Sequence, residues 1–296
     1  MDWRPSCAID VLSTRAGMLD AIREFFHARE VLEVQTSVLS RHTVTEPAIE
    51  SIATQSGRFL QTSPEYQMKR LLCAGAPSIF QIGPVFRAGE QGRWHNPEFT
   101  MLEWYRLGFD HVALMKEVAD LVDTLLGEAP FETRTYSELL GFDPDTIELA
   151  ELRRRVSDAT ALTHAEILDL LVTRRIDALT APRLFVTDYP ENQAALARCS
   201  DGVARRFELI IDGLEIANGY HELVDAAELE QRMRADVDRR RAMDRMAIAP
   251  DELLLAAQRN TLPECAGVAI GFDRLVALKV GAGSLAEVMP FPADRA

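Results

Sequence analysis

Apolar residues Met18, Leu19, Ile22, Phe25 and Phe26 recur at three- and four-residue spacing between Ser13 and Arg29, which is the period of an amphipathic helix. The pattern then changes to VLEVQT, Val31 to Thr36, and predicts a strand. A turn near Thr54 to Gly57 leads into Arg58 to Thr62, and TSPEYQMKRLLCAG predicts a helix with Glu65 in its first turn, where the helix dipole favours a carboxylate. IFQIGPVFR, Ile79 to Arg87, reads as a strand, and the loop Gly89 to Pro97 returns the chain antiparallel. Beyond that loop a two-residue period puts Phe99, Met101, Glu103 and Tyr105 on one face and Glu98, Thr100, Leu102 and Trp104 on the other.

Between Gly127 and Pro182 the pattern is weak, with connecting helices predicted over Leu149 to Val156 and Ala165 to Ile176. Leu184 to Thr187 reads as a short strand closed by Tyr189-Pro190. RFELIIDGLEIANGYHELVD, Arg206 to Asp225, has two apolar arms around Asp212-Gly213, a strong hairpin signal. With that turn, Glu208 and Glu215 share one face of the sheet. Asn218, Tyr220 and Glu222 have the opposite parity to Glu215, so reaching the same cavity requires a bulge near Ala217 or Gly219. The polar segment Glu228 to Arg245 reads as a helix whose basic run, Arg239 to Arg241, is a solvated face. CAGVAIGFDRLVAL, Cys265 to Leu278, is a strand of small residues running into a helix, with Arg274 in the opening turn and Gly271 allowing close approach of a ligand.

A chain of 296 residues with 47% hydrophobic content can bury a full core, and no repeat or linker divides it. Lys and Arg number 32 against 46 Asp and Glu, a net charge of -14 that disfavours loose attraction to nucleic acid or an anionic membrane. No apolar run approaches the roughly 20 residues that span a bilayer, and the N-terminus lacks an export pattern, so a cytoplasmic protein is expected. Cys7, Cys73, Cys199 and Cys265 stand far apart with no CxxC pair, which suggests reduced, mostly buried thiols.

Arg87 at the mouth of the first hairpin can fork two donors to a carboxylate or phosphate and stabilise charge that grows during a reaction. Glu208 and Glu215 can share a Mg²⁺ ion. Taken alone, the same residues also describe an ordinary hairpin with a surface salt bridge and two glutamates on a solvated face.

The long motifs together resemble a class II aminoacyl-tRNA synthetase catalytic domain, an α+β fold with an antiparallel sheet flanked by helices. Phe86 to Arg106 resembles motif 2, and Gly267 to Leu275 resembles motif 3. TSPEYQMKRLL, HNPEFTMLEWYR, ELIIDGLEIANGYHEL and GVAIGFDRL resemble the lysine branch. The first motif begins near Ser13 and leaves no room for an anticodon-reading barrel, so residues 1–296 are expected to form one catalytic domain without tRNA anticodon recognition. A stand-alone catalytic domain of this kind resembles the elongation factor P–(R)-β-lysine ligases. That family makes an aminoacyl-adenylate from ATP and β-lysine, then transfers the acyl group to a lysine ε-amine of elongation factor P.

The resemblance implies site residues. Arg87 and Arg274 would be catalytic; Arg87 would clamp the substrate carboxylate and α-phosphate, and Ala88, Gly89, Asn96, Ile216 and Gly271 would lie along ATP. Phe99 and Arg274 would sandwich adenine. Glu208 and Glu215 would hold Mg²⁺ on the phosphates. Glu103, Tyr105 and Glu222 would receive the distal ammonium, and Ser63, Pro64 and Glu65 would lie at the other amine, with Asn218 and Ala269 also lining the amino-acid pocket. The methyl of Ala269, where the lysyl pattern has glycine, would reshape the pocket near the second amine, a change worth roughly 1–3 kcal/mol in discrimination. A homodimer is implied, with Ser37 at the usual motif 1 proline. The motif 2 glutamate is displaced to Glu90. Two other readings stay open: a small-molecule amino-acid ligase of the same fold, and a non-catalytic regulatory relative.

Overall fold

The structure is a computed structural model and describes residues 3–156, 162–179 and 181–296. Helix α1 (Ile9–His27) buries Met18, Ile22, Phe25 and Phe26, the stripe its periodicity predicts. Strand β1 is only Leu32–Glu33. The longer strand expected to Thr36 is not formed, because after Val34 the backbone turns to side-chain partners: Thr36 N–H donates to Gln81 Oε1 at 2.8 Å and Ser37 N–H to Gln67 Oε1 at 3.0 Å. Strands β2 (Leu39–Ser40) and β3 (Phe59–Leu60) pair in a small separate sheet.

Helix α2 (Glu65–Cys73) starts behind Pro64, which supplies no side-chain cap; Ser63 Oγ accepts the Glu65 N–H at 3.0 Å instead. Strands β4 (Ile79–Phe86) and β5 (Glu98–Leu107) form the predicted hairpin, in register from Ile79 opposite Tyr105 to Phe86 opposite Glu98. Helix α3 (His111–Leu126), which sequence patterning had not singled out, is capped by Asp110 accepting the Ala113 N–H at 2.8 Å. Then come β6 (Glu132–Thr135), α4 (Tyr136–Leu140), α5 (Leu149–Arg155) and α6 (His164–Asp177), the last two close to the predicted connecting helices. Strand β7 (Arg183–Pro190) does not close at Tyr189-Pro190 as expected. It runs through them with a register shift between Thr187 and Tyr189, where Asp188 takes a φ of 51°.

Strands β8 (Cys199–Ser200), β9 (Val203–Ile211) and β10 (Leu214–His221) follow, with Asp212 and Gly213 both at positive φ in the predicted turn. Helix α7 (Ala226–Ala242) and helix α8 (Glu252–Thr261) precede strand β11 (Cys265–Gly271), which passes directly into helix α9 (Phe272–Val280).

The sheet runs β1-β4-β5-β11-β10-β9-β7-β6, with β8 on β9; the β1–β4 and β6–β7 pairs are parallel and the rest antiparallel. This is the expected α+β arrangement. One face packs Leu102, Trp104, Phe207 and Val268 against Phe26 of α1, Leu114 and Val118 of α3, and Leu275 of α9. The alternation predicted for β5 holds: Leu102 and Trp104 are fully buried in that core, leaving Phe99, Met101, Glu103 and Tyr105 to the opposite face. A second apolar cluster lies under α4, α5 and α6.

Candidate active site

The open face of the central strands lines a cavity of about 350 Å³. Strand β5 contributes Phe99, Met101, Glu103 and Tyr105, and β11 contributes Gly267, Ala269 and Gly271. Strand β10 contributes Glu215, Asn218 and Tyr220, and Glu222 follows at its end. Glu215 and the Asn218 set share the cavity because the register slips between Glu215 and Ala217, the bulge that the parity of the sequence requires. Ile216, the extra residue, is 2% exposed and also lines the cavity.

One end is cationic. Arg87 lies 5.2 Å from the Phe99 ring centroid, and its contacts with protein are long: Nε to the Thr62 carbonyl at 3.4 Å and Nη1 to Glu90 at 3.5 Å. Its donors are therefore available to an anion. Arg274 is firmly held: Nη1 donates to the Glu215 carbonyl at 2.7 Å, Nη2 lies 3.0 Å from His95 Nε2, and Nε and Nη2 reach the Trp94 carbonyl at 3.3 and 3.2 Å. Burial, then the Arg274 charge, lowers the His95 pKa, so a neutral ring accepts that contact. Asn96 lines this end too, with its amide engaged by Glu98 O and by the Ala293 N–H.

The other end is anionic. Glu103 is 2% exposed and accepts from Ser63 Oγ and Tyr105 Oη, both at 2.7 Å. Burial, reinforced by the Glu65 charge, pushes its carboxyl up to about 8. Burial also pushes Glu222 up to about 7, against the lowering pull of Lys69. Lys69 Nζ lies 2.7 Å from Glu65 Oε1 and 2.6 Å from Glu222 Oε2. Asn218 Oδ1 is buried on the cavity lining without a hydrogen-bond partner.

The cavity thus gathers Ser63, Glu65, Arg87, Asn96, Phe99, Glu103, Tyr105, Glu215, Ile216, Asn218, Glu222, Ala269, Gly271 and Arg274 of the expected set. Pro64, Ala88, Gly89 and Glu208 are not on its lining. Pro64 is buried at the start of α2, Ala88 N–H is tied to the Glu50 carbonyl at 2.8 Å, and Gly89 is an exposed turn residue at φ 77°. Glu208 is drawn aside by Arg206, whose Nη2 is 2.5 Å from its Oε1. Glu215 faces the cavity, and its carboxyl is pushed up to about 7 by the surrounding walls and then by Glu208. Among the described residues no group of three metal-ligating side chains converges.

A family model for tRNA synthetases class II (D, K and N) matches residues 1–295. The chain belongs to the class II tRNA synthetases. It is 42% identical over 322 residues to the elongation factor P–(R)-β-lysine ligase of Vibrio cholerae, covering all of this chain and 99% of the relative. Ligases of the same name from Hamiltonella defensa and Pseudoalteromonas translucida are 40% and 42% identical, with 100% and 99% of this chain and 98% of each relative covered. The motif-level resemblance therefore extends over almost the whole of those relatives.

Three features of this class II synthetase escaped the sequence reading. Lys69 sits inside a helical segment where its charge reads as surface, yet it is 2% exposed. Gly267 is another: a Cβ there would lie 2.5 Å from Tyr105 Cδ1 and 2.5 Å from Glu222 Oε1, so only glycine lets these two groups meet. The third corrects the expected solvated face of α7. Arg240 is fully buried, donating to the carbonyls of Glu46, Ile49 and Met246 at 2.8–3.0 Å and pairing with Glu50 at 3.0 Å, while Arg239 and Arg241 remain exposed. Arg240 thereby braces the 46–50 loop, whose Ile49 lines the cavity. Of the two histidines near motif residues, His95 supports Arg274, and His221 lies off the lining, 3.4 Å from Glu264.

Proposed function

We propose that this chain is an ATP-dependent ligase that activates (R)-β-lysine as an aminoacyl-adenylate and passes it to a lysine ε-amine of elongation factor P. One observation carries the reading: a single cavity has free guanidinium donors at one end and three carboxylates, Glu65, Glu103 and Glu222, at the other. A triphosphate matches the first and a diamino acid the second. The names of the full-length relatives support the same substrates and acceptor. Residues 1–296 act as one catalytic unit, cytoplasmic and homodimeric. Among the described residues no helix is long and apolar enough to cross a membrane.

In the first step a substrate carboxylate oxygen attacks the α-phosphorus. The bond to the β-phosphate oxygen breaks, and pyrophosphate leaves with the electron pair. Arg87 holds the carboxylate and α-phosphate in line and answers the charge that grows there. Arg274, fixed by Glu215, Trp94 and His95, presents its guanidinium plane to adenine opposite Phe99. Glu215 would hold Mg²⁺, joined by Glu208 once its ion pair with Arg206 opens, and the cation would offset phosphate charge when bound. In the second step the neutral ε-amine of the acceptor attacks the carbonyl carbon and AMP leaves. The amine gives up a proton and an amide remains. No side chain of this protein needs to form a covalent bond.

Ala269 stands opposite Glu103 on β5 and Asn218 on β10, so its methyl lies at the amino-acid end of the cavity. This supports a preference for the β-amine over the α-amine. Amino-acid-dependent ATP–pyrophosphate exchange tests the reading: (R)-β-lysine is expected to stimulate exchange more than α-lysine does, and absence of exchange with either contradicts it.

A further inference from the structure

The charge balance at the anionic end rests on a residue that does not line the cavity. Lys69 lies one turn behind Glu65 on α2, 2% exposed, with its ammonium between Glu65 and Glu222. Glu222 is 1% exposed, and its Oε2 has the ion pair with Lys69 but no aligned hydrogen bond. Glu103, close by, receives two hydroxyls and no cation. Three carboxylates therefore share one fixed ammonium. Without it, Glu65 and Glu222 would face one another and Glu103 at low dielectric, and such groups take up protons rather than remain charged together.

We propose that Lys69 is the positioning residue that makes this cavity selective for a diamino acid, because by spanning Glu65 and Glu222 it holds the two carboxylates apart and sets one positive charge among three carboxyl groups, leaving two positive charges to be supplied by the substrate. The inference rests on the reading of this end as the amino-acid pocket. Lys69 acts through the carboxylates and touches no reacting atom. The other titratable groups around it are Tyr66 and Cys73 of its own helix, Tyr105 of β5 and Cys265 of β11. Burial raises each of these four above its ordinary value, so they stay neutral, and the carboxylates are the groups that respond to loss of the ammonium.

The test is Lys69→Met in the full chain, read by amino-acid-dependent pyrophosphate exchange with (R)-β-lysine and with its two monoamino analogues, β-aminohexanoate and ε-aminohexanoate. The KM for (R)-β-lysine is expected to rise about tenfold or more, equivalent to a shift of about one pKa unit in the pocket, with the KM for ATP unchanged. The ratio of diamino to monoamino activity falls, and part of the lost affinity returns as pH is raised and the carboxylates ionise. Lys69→Gln, which keeps a hydrogen-bond donor but no charge, gives the same result and serves if the methionine variant does not fold. A wild-type ratio in either variant overturns the proposal, as does equal loss for all substrates with an unaltered pH profile. Absence of exchange in the wild-type protein is a separate outcome that overturns the reading of the site itself.

Discussion

Gly267→Ala isolates the amino-acid end of the cavity from the nucleotide end. The added Cβ would lie 2.5 Å from Glu222 Oε1 and 2.5 Å from Tyr105 Cδ1, with Tyr105 Cε1 nearer still. Ordinary contacts between such atoms need about 3.5–4.0 Å, so the ring and the carboxylate must each retreat by about 1 Å or the strand must bend. Overpacking of this kind costs about 1–3 kcal/mol. Tyr105 is 2% exposed and tied to Glu103, and Glu222 is 1% exposed and tied to Lys69, so neither yields without disturbing the other carboxylates. The expected result is a KM for (R)-β-lysine raised about 10- to 100-fold, taking 1.4 kcal/mol as a factor of ten, with the KM for ATP close to wild type. Amino-acid-dependent pyrophosphate exchange at varied lysine and varied ATP separates the two, and a thermal shift with ATP alone checks folding. Gly83→Ala, where the nearest atom to an added Cβ is 3.9 Å away, is the control on β4, two strands away in the same sheet. A normal lysine KM in Gly267→Ala would refute the close approach of Gly267, Tyr105 and Glu222.

The KM for (R)-β-lysine is expected to fall as pH rises from about 6 to about 8, because Glu222 at about 7 and Glu103 at about 8 must shed protons to receive ammonium groups. Calorimetry in buffers of differing ionisation enthalpy should accordingly show protons released on binding; net uptake would contradict the assignment. Arg87→Ala is expected to lower kcat by about 100-fold or more with little change in melting temperature, since its protein contacts are long; a melting defect that accounts for the lost activity would make Arg87 a structural residue. Arg240→Met is expected to lose about 2–4 kcal/mol in denaturant unfolding, since it takes a donor from three carbonyls and leaves Glu50 only Arg245 as a cationic partner. A loss below about 1 kcal/mol would show that the 46–50 loop does not depend on it.

The elements that build the site were legible because each has a strong local code. The two-residue period of β5, the Asp212-Gly213 turn and the parity conflict between Glu215 and Asn218 gave the hairpins, their faces and the bulge. Features decided by distant partners were not legible. Strand β1 stops early because Gln81 and Gln67 replace its ladder, and no local pattern at Val31 to Thr36 shows that. Lys69 and Arg240 both sit in helices with a polar spacing that suits solvent, and their burial depends on carboxylates and carbonyls brought by other segments. Glu208 lies off the cavity lining with its carboxylate paired to Arg206, two residues earlier on the same strand.

Intact mass of elongation factor P, after incubation with this protein, ATP, Mg²⁺ and each lysine isomer in turn, bears most directly on the claim that one cavity activates a diamino acid for transfer to a protein amine. The account predicts the addition of one lysyl group with (R)-β-lysine, to a greater extent than with α-lysine, and none when ATP is left out. An unmodified acceptor in every mixture, alongside intact amino-acid-dependent pyrophosphate exchange, would contradict it.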